Sequence, residues 1–332
     1  MEFSETKRLI LQQLLDGKFH SGANLAKSLL LSRTTIWKQI QGLIELGISV
    51  NAVSGKGYRL SQPVDLLESS SIVEQLSQNV SQLAQLEIFN VLDSTNSYLA
   101  RSLAADKGKK GTVCLAESQS SGKGRLGRSW VSPTAANIYL SVLWQYDKGA
   151  AALGGLSLAG GVAIMRALLK AGVMGVGLKW PNDIMWEERK LAGILVEITG
   201  ESHGPCHVIF GLGLNVNMPA DTGSTIDQPW VDMNEVMGGK QPSRNLIVSL
   251  LLNELLPMLD TFGTTGLTPY LAEWRQWDGL TNKDVTLTLA GNPVLGKVMG
   301  IADSGAVIIR SPDGVENQYS SGEVTLKPLK TQ

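Results

Sequence analysis

The sequence predicts a multidomain α+β protein: an N-terminal winged helix-turn-helix, a central mixed α/β domain with a largely antiparallel sheet, and a small C-terminal β-barrel. Three observations carry this expectation. The N-terminal stretch shows three short helical periods followed by an alternating, turn-rich segment. The middle interleaves long apolar helices with strands joined across turns too short for a crossover. The tail is a series of short alternating runs separated by glycine turns. At 332 residues the chain exceeds the roughly 100–200 residues of one domain. Its 43% hydrophobic and 18% charged residues are those of an ordinary globular chain with enough apolar material for sizeable cores.

In the N-terminal unit, placed at residues 1–62, Leu9, Ile10, Leu14 and Leu15 recur at helical spacing and the run stops at Gly17. A second short helix follows Ser21 and Gly22. Ser32 can cap a third, in which Ile36, Ile40, Leu43 and Ile44 form one apolar stripe ending at Gly47. Residues 48–60 then alternate and turn at Ser54-Gly55-Lys56-Gly57, as a two-stranded wing would. This order places Ser32, Arg33, Thr34, Thr35 and Lys38 at the start of a recognition helix and Lys56 and Arg59 on the wing. Although the formal net charge of the whole chain is -1, this unit carries Lys7, Arg8, Lys18, Lys27, Arg33, Lys38, Lys56 and Arg59 against Glu2, Glu5, Asp16 and Glu45. A local basic excess on this motif points to DNA. A winged helix used for protein contacts is the alternative.

Ser61-Gln62-Pro63 breaks the pattern and serves as a linker. The central unit, 66–275, is expected to hold a helix at 97–105, a strand at 112–116, and an alternating strand at 137–144 with Ile138, Leu140, Val142 and Trp144 on one face. A helix at 153–170 carries Gly154, Gly155, Ala159, Gly160 and Ala163, small residues that let it approach a sheet. Strands are expected at 177–185, 190–199 and 207–216, and a leucine-rich helix at 244–262 kinked at Pro257. The last unit, 280–330, has its short runs separated by Ala290-Gly291-Asn292, Asp303-Ser304-Gly305 and Pro312-Asp313-Gly314, the spacing of a small barrel.

Other classes are disfavoured. The N-terminus lacks the apolar region and cleavage site of a signal peptide. The most apolar run, 150–165, is shorter than the about 20 residues of a bilayer span and is followed by Arg166. Cys114 and Cys206 are too few for a disulfide framework or a cysteine zinc site. A cytoplasmic protein that does not engage a membrane is expected.

The stretch 120–130, SSGKGRLGRSW, contains G-x-G-x-x-G at Gly122, Gly124 and Gly127. A dinucleotide site needs a helix immediately after these glycines, whereas here Arg128 to Pro133 lead into a strand. A Walker A loop fails too, with Glu117 at its first glycine position and Gly124 where Ser or Thr should follow the lysine. What remains is a segment presenting Lys123, Arg125, Arg128 and backbone N–H groups to an anion with several oxygens, or a mobile basic connection.

This loop is similar to the Gly-Arg-Gly-Arg-x-Gly-Arg signature of biotin protein ligases. Further segments agree in the same order: DSTN at 93–96, KWPND at 179–183, RKLAGILVE at 189–197 and GLGLNVN at 211–217. With the winged helix and the C-terminal β segment, essentially the whole chain resembles the bifunctional members of that family, which also repress the biotin operon. The resemblance implies a biotin/lipoate-ligase-like catalytic domain and an SH3-like C-terminal barrel. It implies a carboxylate-amine ligase that joins biotin to ATP as biotinyl-5'-AMP and passes the biotinyl group to a lysine of the biotin carboxyl carrier protein of acetyl-CoA carboxylase. Mg2+ would accompany ATP, with no metal site made of protein ligands alone. The same adenylate would act as corepressor, driving a homodimer onto operator DNA of biotin biosynthesis genes.

By the same resemblance, Lys190 and Arg125 are the catalytic cations. Ser94, Thr95, Asn96, Gln119, Gly122, Lys123, Gly124, Arg125, Lys190, Gly211 and Gly213 would hold biotin. Arg125, Arg128, Trp130, Asn182, Asp183, Lys190 and Asn215 would hold ATP or the adenylate. Taken as residues alone, several have other readings: Ser94 and Thr95 as a helix cap, Trp130 as core, Asn182 and Asp183 as an Asx turn, and Lys190 as a surface lysine. One departure is Lys123, which stands where the signature has its first arginine and offers a point charge without a planar fork. Two other functions remain consistent with the sequence: a ligand-sensing DNA-binding regulator without ligase activity, and a lipoate-type ligase.

Overall fold

The computed structural model describes residues 3–78, 80–200, 204–240, 242–289 and 291–326. Residues 1, 2 and 327–330 of the expected terminal units, and Ala290 of the expected turn, lie outside the described residues.

The N-terminal unit forms α1 (Glu5–Leu14), α2 (Gly22–Ser28), α3 (Arg33–Glu45), β1 (Val50–Val53) and β2 (Gly57–Leu60). Each helix starts where a serine caps it: Ser4 accepts from the Lys7 N–H, Ser21 from Asn24 and Ser32 from Thr35. Such caps contribute about 1 kcal/mol each. Apolar faces of all three helices meet in a separate small core that includes Ile10, Leu14, Leu25, Ile36, Ile40 and Leu43. The wing pairs Val50 with Leu60 through Val53 with Gly57.

After α4 (Ser69–Val73), the central unit is a seven-stranded sheet in the order β3-β4-β5-β9-β8-β7-β6. Its strands are β3 (Gln85–Phe89), β4 (Thr112–Ala116), β5 (Ile138–Tyr146), β6 (Val176–Lys179), β7 (Asp183–Trp186), β8 (Arg189–Gly200) and β9 (Cys206–Leu214). Only the β3–β4 pair is parallel. Its crossover is α5 (Thr95–Ala104), which packs on one face of the sheet with Leu99 against Cys114, Leu143 and Ile209. The opposite face, with Ile138, Leu140, Val142 and Trp144, is covered by α6 (Leu156–Lys170) and α9 (Arg244–Thr265). Gly160 of α6 is a close-approach position, since a Cβ there would lie 2.3 Å from Phe210. Short helices α7 (Ala220–Gly223), α8 (Met233–Val236) and α10 (Leu271–Gln276) fill the connections.

The C-terminal unit holds β10 (Asp284–Leu289), β11 (Asn292–Ile301), β12 (Val307–Arg310), β13 (Glu316–Tyr319) and β14 (Glu323–Leu326), all antiparallel in the order β13-β12-β11-β10-β14. Among the described residues no ladder joins β13 to β14, so the expected barrel takes the form of a sheet not closed by hydrogen bonds. Its Val285, Leu287, Val307 and Ile309 belong to the same apolar core as the central sheet.

Two elements depart from expectation. The strand expected at 177–185 is two strands, because Trp180-Pro181-Asn182 turns the chain at a cis Trp180–Pro181 peptide and Pro181 has no N–H for a ladder. The helix expected at 153–170 ends at Lys170 as expected but is preceded by a 3₁₀ turn at Ala150–Leu153, so the segment 150–170, unlike the apolar run 150–165 taken alone, is long and apolar enough to cross a membrane by length and composition, as is 244–265. Both are mostly buried within the protein, at 67% and 56% of their apolar windows, as core helices are.

Candidate active site

The α5-side face of the sheet lacks side chains over part of its area. Register places Gly211 beside Ser141 and Leu195, and Gly213 beside Tyr139 and Gly193. Three glycines on adjacent strands therefore leave a floor of bare backbone. Other groups lie directly on it. A Cβ at Gly211 would lie 2.3 Å from Asn96 Oδ1, one at Gly213 2.4 Å from the Trp130 ring, and one at Gly193 3.0 Å from Lys190 Cε. Gly211 and Gly213 were expected from sequence. Gly193 was missed, although it stands inside the RKLAGILVE segment.

Above this floor the cavity has two compartments. The inner one is lined by Ser94, Thr95, Asn96, Gln119, Lys123 and Arg125, and the outer by Asn215, Met218 and Trp230. They meet at Arg128, Trp130, Lys179, Asp183 and Lys190, which border both.

The inner wall begins at α5. Ser94 caps that helix by accepting from the Ser97 N–H, and no acceptor for its hydroxyl proton is found among the described residues, so it can both cap and donate to a ligand. Thr95, Asn96 and Ser141 form a buried chain: Asn96 Nδ2 donates to Glu197 Oε2 at 2.6 Å, while Asn96 Oδ1 and Thr95 Oγ1 lie 2.6 and 2.7 Å from Ser141 Oγ. Asn96 Oδ1 can only accept, so the single Ser141 proton goes to it. The Thr95 proton then points to Ser141 or to Gln119 Oε1, 3.2 Å away. In either case Thr95 presents a lone pair to the cavity. Gln119 is itself oriented, its Oε1 taking the Thr95 N–H at 2.9 Å and its Nε2 donating to Ser132 Oγ at 3.0 Å. The wall thus offers one donor and one acceptor without net charge, as a neutral cyclic urea requires. Glu197 and Ser141 were not anticipated from sequence, because their role depends on cross-strand register.

The glycine loop is a narrow hairpin. Trp130 N–H donates to Gly122 O at 2.8 Å and Gly124 N–H to Arg128 O at 2.7 Å. At its tip, residues 125–127 make one 3₁₀ turn with Leu126 in left-handed backbone at φ 56° and 75% exposed. Gly122 sits within the fold, where a Cβ would lie 2.4 Å from Trp130 O, and Lys123 and Gly124 border the inner compartment.

Arg125 reaches inward, donating to Asn182 Oδ1 at 3.1 Å and to Gly322 O at 3.4 Å, and burial holds its pKa below the usual guanidinium value. Arg128 is exposed and ion-paired with Glu323 of β14. The C-terminal sheet thereby closes one side of the cavity, a contribution invisible to sequence reading because the two arms are separated by most of the chain.

Lys190 sits where β8 begins. Its Nζ is 2.7 Å from Asp183 Oδ1, with both side chains about 15% exposed, and 5.4 Å from the centre of the Trp130 ring. This is a partly desolvated cation over an aromatic face, at the junction of the compartments. Lys179, also missed from sequence, lies across the β6–β7 turn from Asp183. Burial lowers its pKa, with Asp183 opposing that shift and Lys190 adding to it.

Asn182 is an anchoring residue as well as a turn residue, its Nδ2 donating to Ile194 O at 2.6 Å. Asn215, 3% exposed, donates to Val231 O at 3.1 Å and so pins the segment carrying Trp230. Trp230 donates to Gly223 O at 3.0 Å. No group of three or more metal-ligating side chains occurs among the described residues.

In the winged helix, Arg33, Thr34 and Lys38 are exposed on α3 and Lys56 on the wing. Ser32 and Thr35 are engaged with each other, Oγ to Oγ1 at 2.8 Å. Arg59 lies over the Phe19 ring at 4.7 Å and is the least free of the expected DNA-facing cations.

Residues 88–215 match the biotin/lipoate A/B protein ligase family, residues 6–59 an HTH domain, and residues 281–327 the biotin protein ligase C-terminal domain. The chain is 38% identical over 314 residues to the bifunctional ligase/repressor BirA of Escherichia coli (strain K12), covering 95% of each chain. It is 30% identical to that of Bacillus subtilis (strain 168), covering 92% of this chain and 93% of that one. A biotin protein ligase from Aquifex aeolicus, solved in complex with biotin and ATP, superposes with a TM-score of 0.62 at 26% identity, covering 74% of this chain and 99% of that chain. With a ligase core, a winged helix and a C-terminal sheet in the same order and over nearly the same length, the chain belongs to the bifunctional ligase/repressor family of biotin protein ligases.

Proposed function

We propose that the protein activates biotin with ATP as biotinyl-5'-AMP, transfers the biotinyl group to one lysine of a biotin carboxyl carrier protein, and represses transcription when it holds the adenylate. The observation that carries the ligase reading is the position of Lys190, a partly buried cation at the junction of two compartments, one of which has an uncharged inner wall of Ser94, Thr95, Asn96 and Gln119.

The inner wall suits the biotin ring system: Ser94 donates to the ureido oxygen, Thr95 accepts from a ureido N–H, and Asn96 and Gln119 are held in fixed orientations beside them. The carboxylate of biotin then lies toward Lys190, and ATP lies in the outer cleft, its base near Trp130, Asn215 and Trp230. A biotin carboxylate oxygen attacks the α-phosphorus, a P–O bond to pyrophosphate breaks, and Lys190, Arg125 and Arg128 neutralise the charge that accumulates. Gly122, Lys123 and Gly124 cover the acyl phosphate against water. In the second step the carrier amine attacks the acyl carbon, AMP leaves with the C–O electrons, and the amine loses its proton. Mg2+ fits this site as the companion of ATP: Asp183 is a carboxylate bordering both compartments, and a single carboxylate with substrate phosphates is an ordinary magnesium environment. When bound it supplies further charge neutralisation.

In this reading residues 1–62 bind operator DNA, 66–275 carry the chemistry and 280–330 support the loop, in the cytoplasm. Dimerisation with adenylate bound would bring two winged helices to a two-fold site. Mass spectrometry of an acceptor carrier domain after incubation with protein, biotin, Mg2+ and ATP tests the ligase half. One added biotinyl group is expected. An unmodified carrier, with DNA binding retained, would leave a ligand sensor. Lipoate supporting the reaction better than biotin would reassign the substrate.

A further inference from the structure

The outward face of the recognition helix carries a residue that no part of the account has used. In α3 the buried positions are Ile36, Ile40, Gly42 and Leu43. The opposite face presents Arg33, Thr34, Trp37 and Lys38, all exposed. Trp37 is 53% exposed, a large apolar ring whose exposed neighbours in the first two turns of α3 are Arg33, Thr34 and Lys38. It lies one helical turn after Arg33, on the same side, and with Arg33 and Thr34 borders the groove between α3 and the wing residues Ala52–Gly57. It has no place in the small core of this unit.

We propose that Trp37 is a sequence-reading residue, packing its indole against the 5-methyl group of a thymine in the major groove of the operator. This rests on the DNA-binding reading above. Two considerations select the occupant. The exposed cations of the same helix, Arg33 and Lys38, match a polyanion rather than an apolar partner surface. The first turns of a recognition helix are those that meet base edges, and thymine is the base that offers an apolar group there. The cations position the helix on phosphates whatever the sequence, and the indole supplies discrimination that they cannot.

The full-length protein, supplied with biotin and MgATP, is used to select its preferred duplex from a random pool. Each thymine of that duplex is then replaced by deoxyuridine, which lacks only the methyl group. At one symmetric thymine pair, the substitution is expected to weaken wild-type binding by about fourfold per methyl. Trp37→Ala is expected to bind the thymine and deoxyuridine duplexes equally there, with the salt dependence of binding unchanged because no phosphate contact is lost. Trp37→Phe is expected to keep part of the preference. Retained binding of the deoxyuridine duplex with the wild-type salt dependence certifies that the winged helix of each variant is folded. A deoxyuridine penalty of the same size in Trp37→Ala would overturn the proposal and assign the indole to a protein contact. Failure of the wild-type protein to select any duplex would instead overturn the repressor reading on which the proposal stands.

Discussion

At the scale of single residues, the account turns on Lys190 and the cations around it. A charge pair at about 4 Å in an effective dielectric near 20 is worth roughly 4 kcal/mol. Lys190→Met, which keeps the length and removes the charge, is therefore expected to slow adenylate formation by about a thousandfold, read by single-turnover release of pyrophosphate. A loss of less than about tenfold would show that Lys190 is only a packing residue. Lys179 gives a pH signature. Burial already holds its pKa below the usual lysine value, and the phosphates of bound ATP would raise it. Between the lowered value and the raised one the complex holds more protons than the free protein, so binding takes up protons and affinity falls as pH rises through that window. Calorimetry within that window in two buffers of different ionisation enthalpy reads this directly, and equal observed heats in the two buffers would show no linkage. Lys190, Arg125, Ser94 and Thr95, which line one cavity, could be singled out because they stand inside contiguous motifs. Ser141 could not, because a residue that acts across a strand pair leaves no mark in the order of the chain, and Lys179 and Glu197, though they stand at the ends of two such motifs, acquire partners only through the pairing of strands and the packing of α5.

At the scale of elements, the floor of the site is a matter of register. Gly193, Gly211 and Gly213 belong to β8 and β9, and only pairing sets them side by side. The helices and the winged motif were readable from period and caps, since those signals are local. The sheet was read as largely antiparallel from short connections, yet β3 and β13 were missed: Gln85–Phe89 is a short edge strand whose alternation spans only five residues, and Glu316–Tyr319 is mostly polar. The division at Trp180–Pro181 shows how a proline inside an apparent strand marks a turn. Gly213→Ala tests the floor. Its methyl would meet the Trp130 ring, 2.4 Å from the ideal Cβ position, and such overpacking costs about 1–3 kcal/mol. Trp130 is then expected to swing out of the outer cleft, so that the KM for ATP rises more than that for biotin. Equal rises for both substrates would place the ring elsewhere.

At the scale of the whole molecule, a buried carboxylate stands where the winged-helix unit meets the central unit. Glu117, fully buried, stands two residues before Gln119 and takes hydrogen bonds from Arg8 of α1 at 3.3 Å, from the Leu67 N–H at 2.7 Å and from Arg244 of α9 at 2.7 Å. Arg8 also donates to Leu67 O at 2.7 Å. The node ties the winged helix, the linker, the strand that leads to Gln119 on the inner wall of the cavity, and the long core helix. Removing one partner of such a buried cluster leaves a charge uncompensated, at a cost of about 3–5 kcal/mol. Glu117→Ala is expected to lower the stability of the central unit by that amount and to release the winged helix, so that one unfolding transition becomes two in urea. A single transition shifted by less than about 1 kcal/mol would show the node to be incidental. None of this junction could be read from sequence, where Glu117 entered only as the residue that spoils a Walker A match.

The central claim is that a cationic loop and Lys190 join biotin to the α-phosphate of ATP reversibly within one cavity, before any carrier protein arrives. Exchange of labelled pyrophosphate into ATP measures that step alone. Exchange is expected to require biotin, to proceed without carrier and to be nearly abolished in Lys190→Met. Carrier biotinylation in the absence of any such exchange, or exchange undiminished in Lys190→Met, would contradict it.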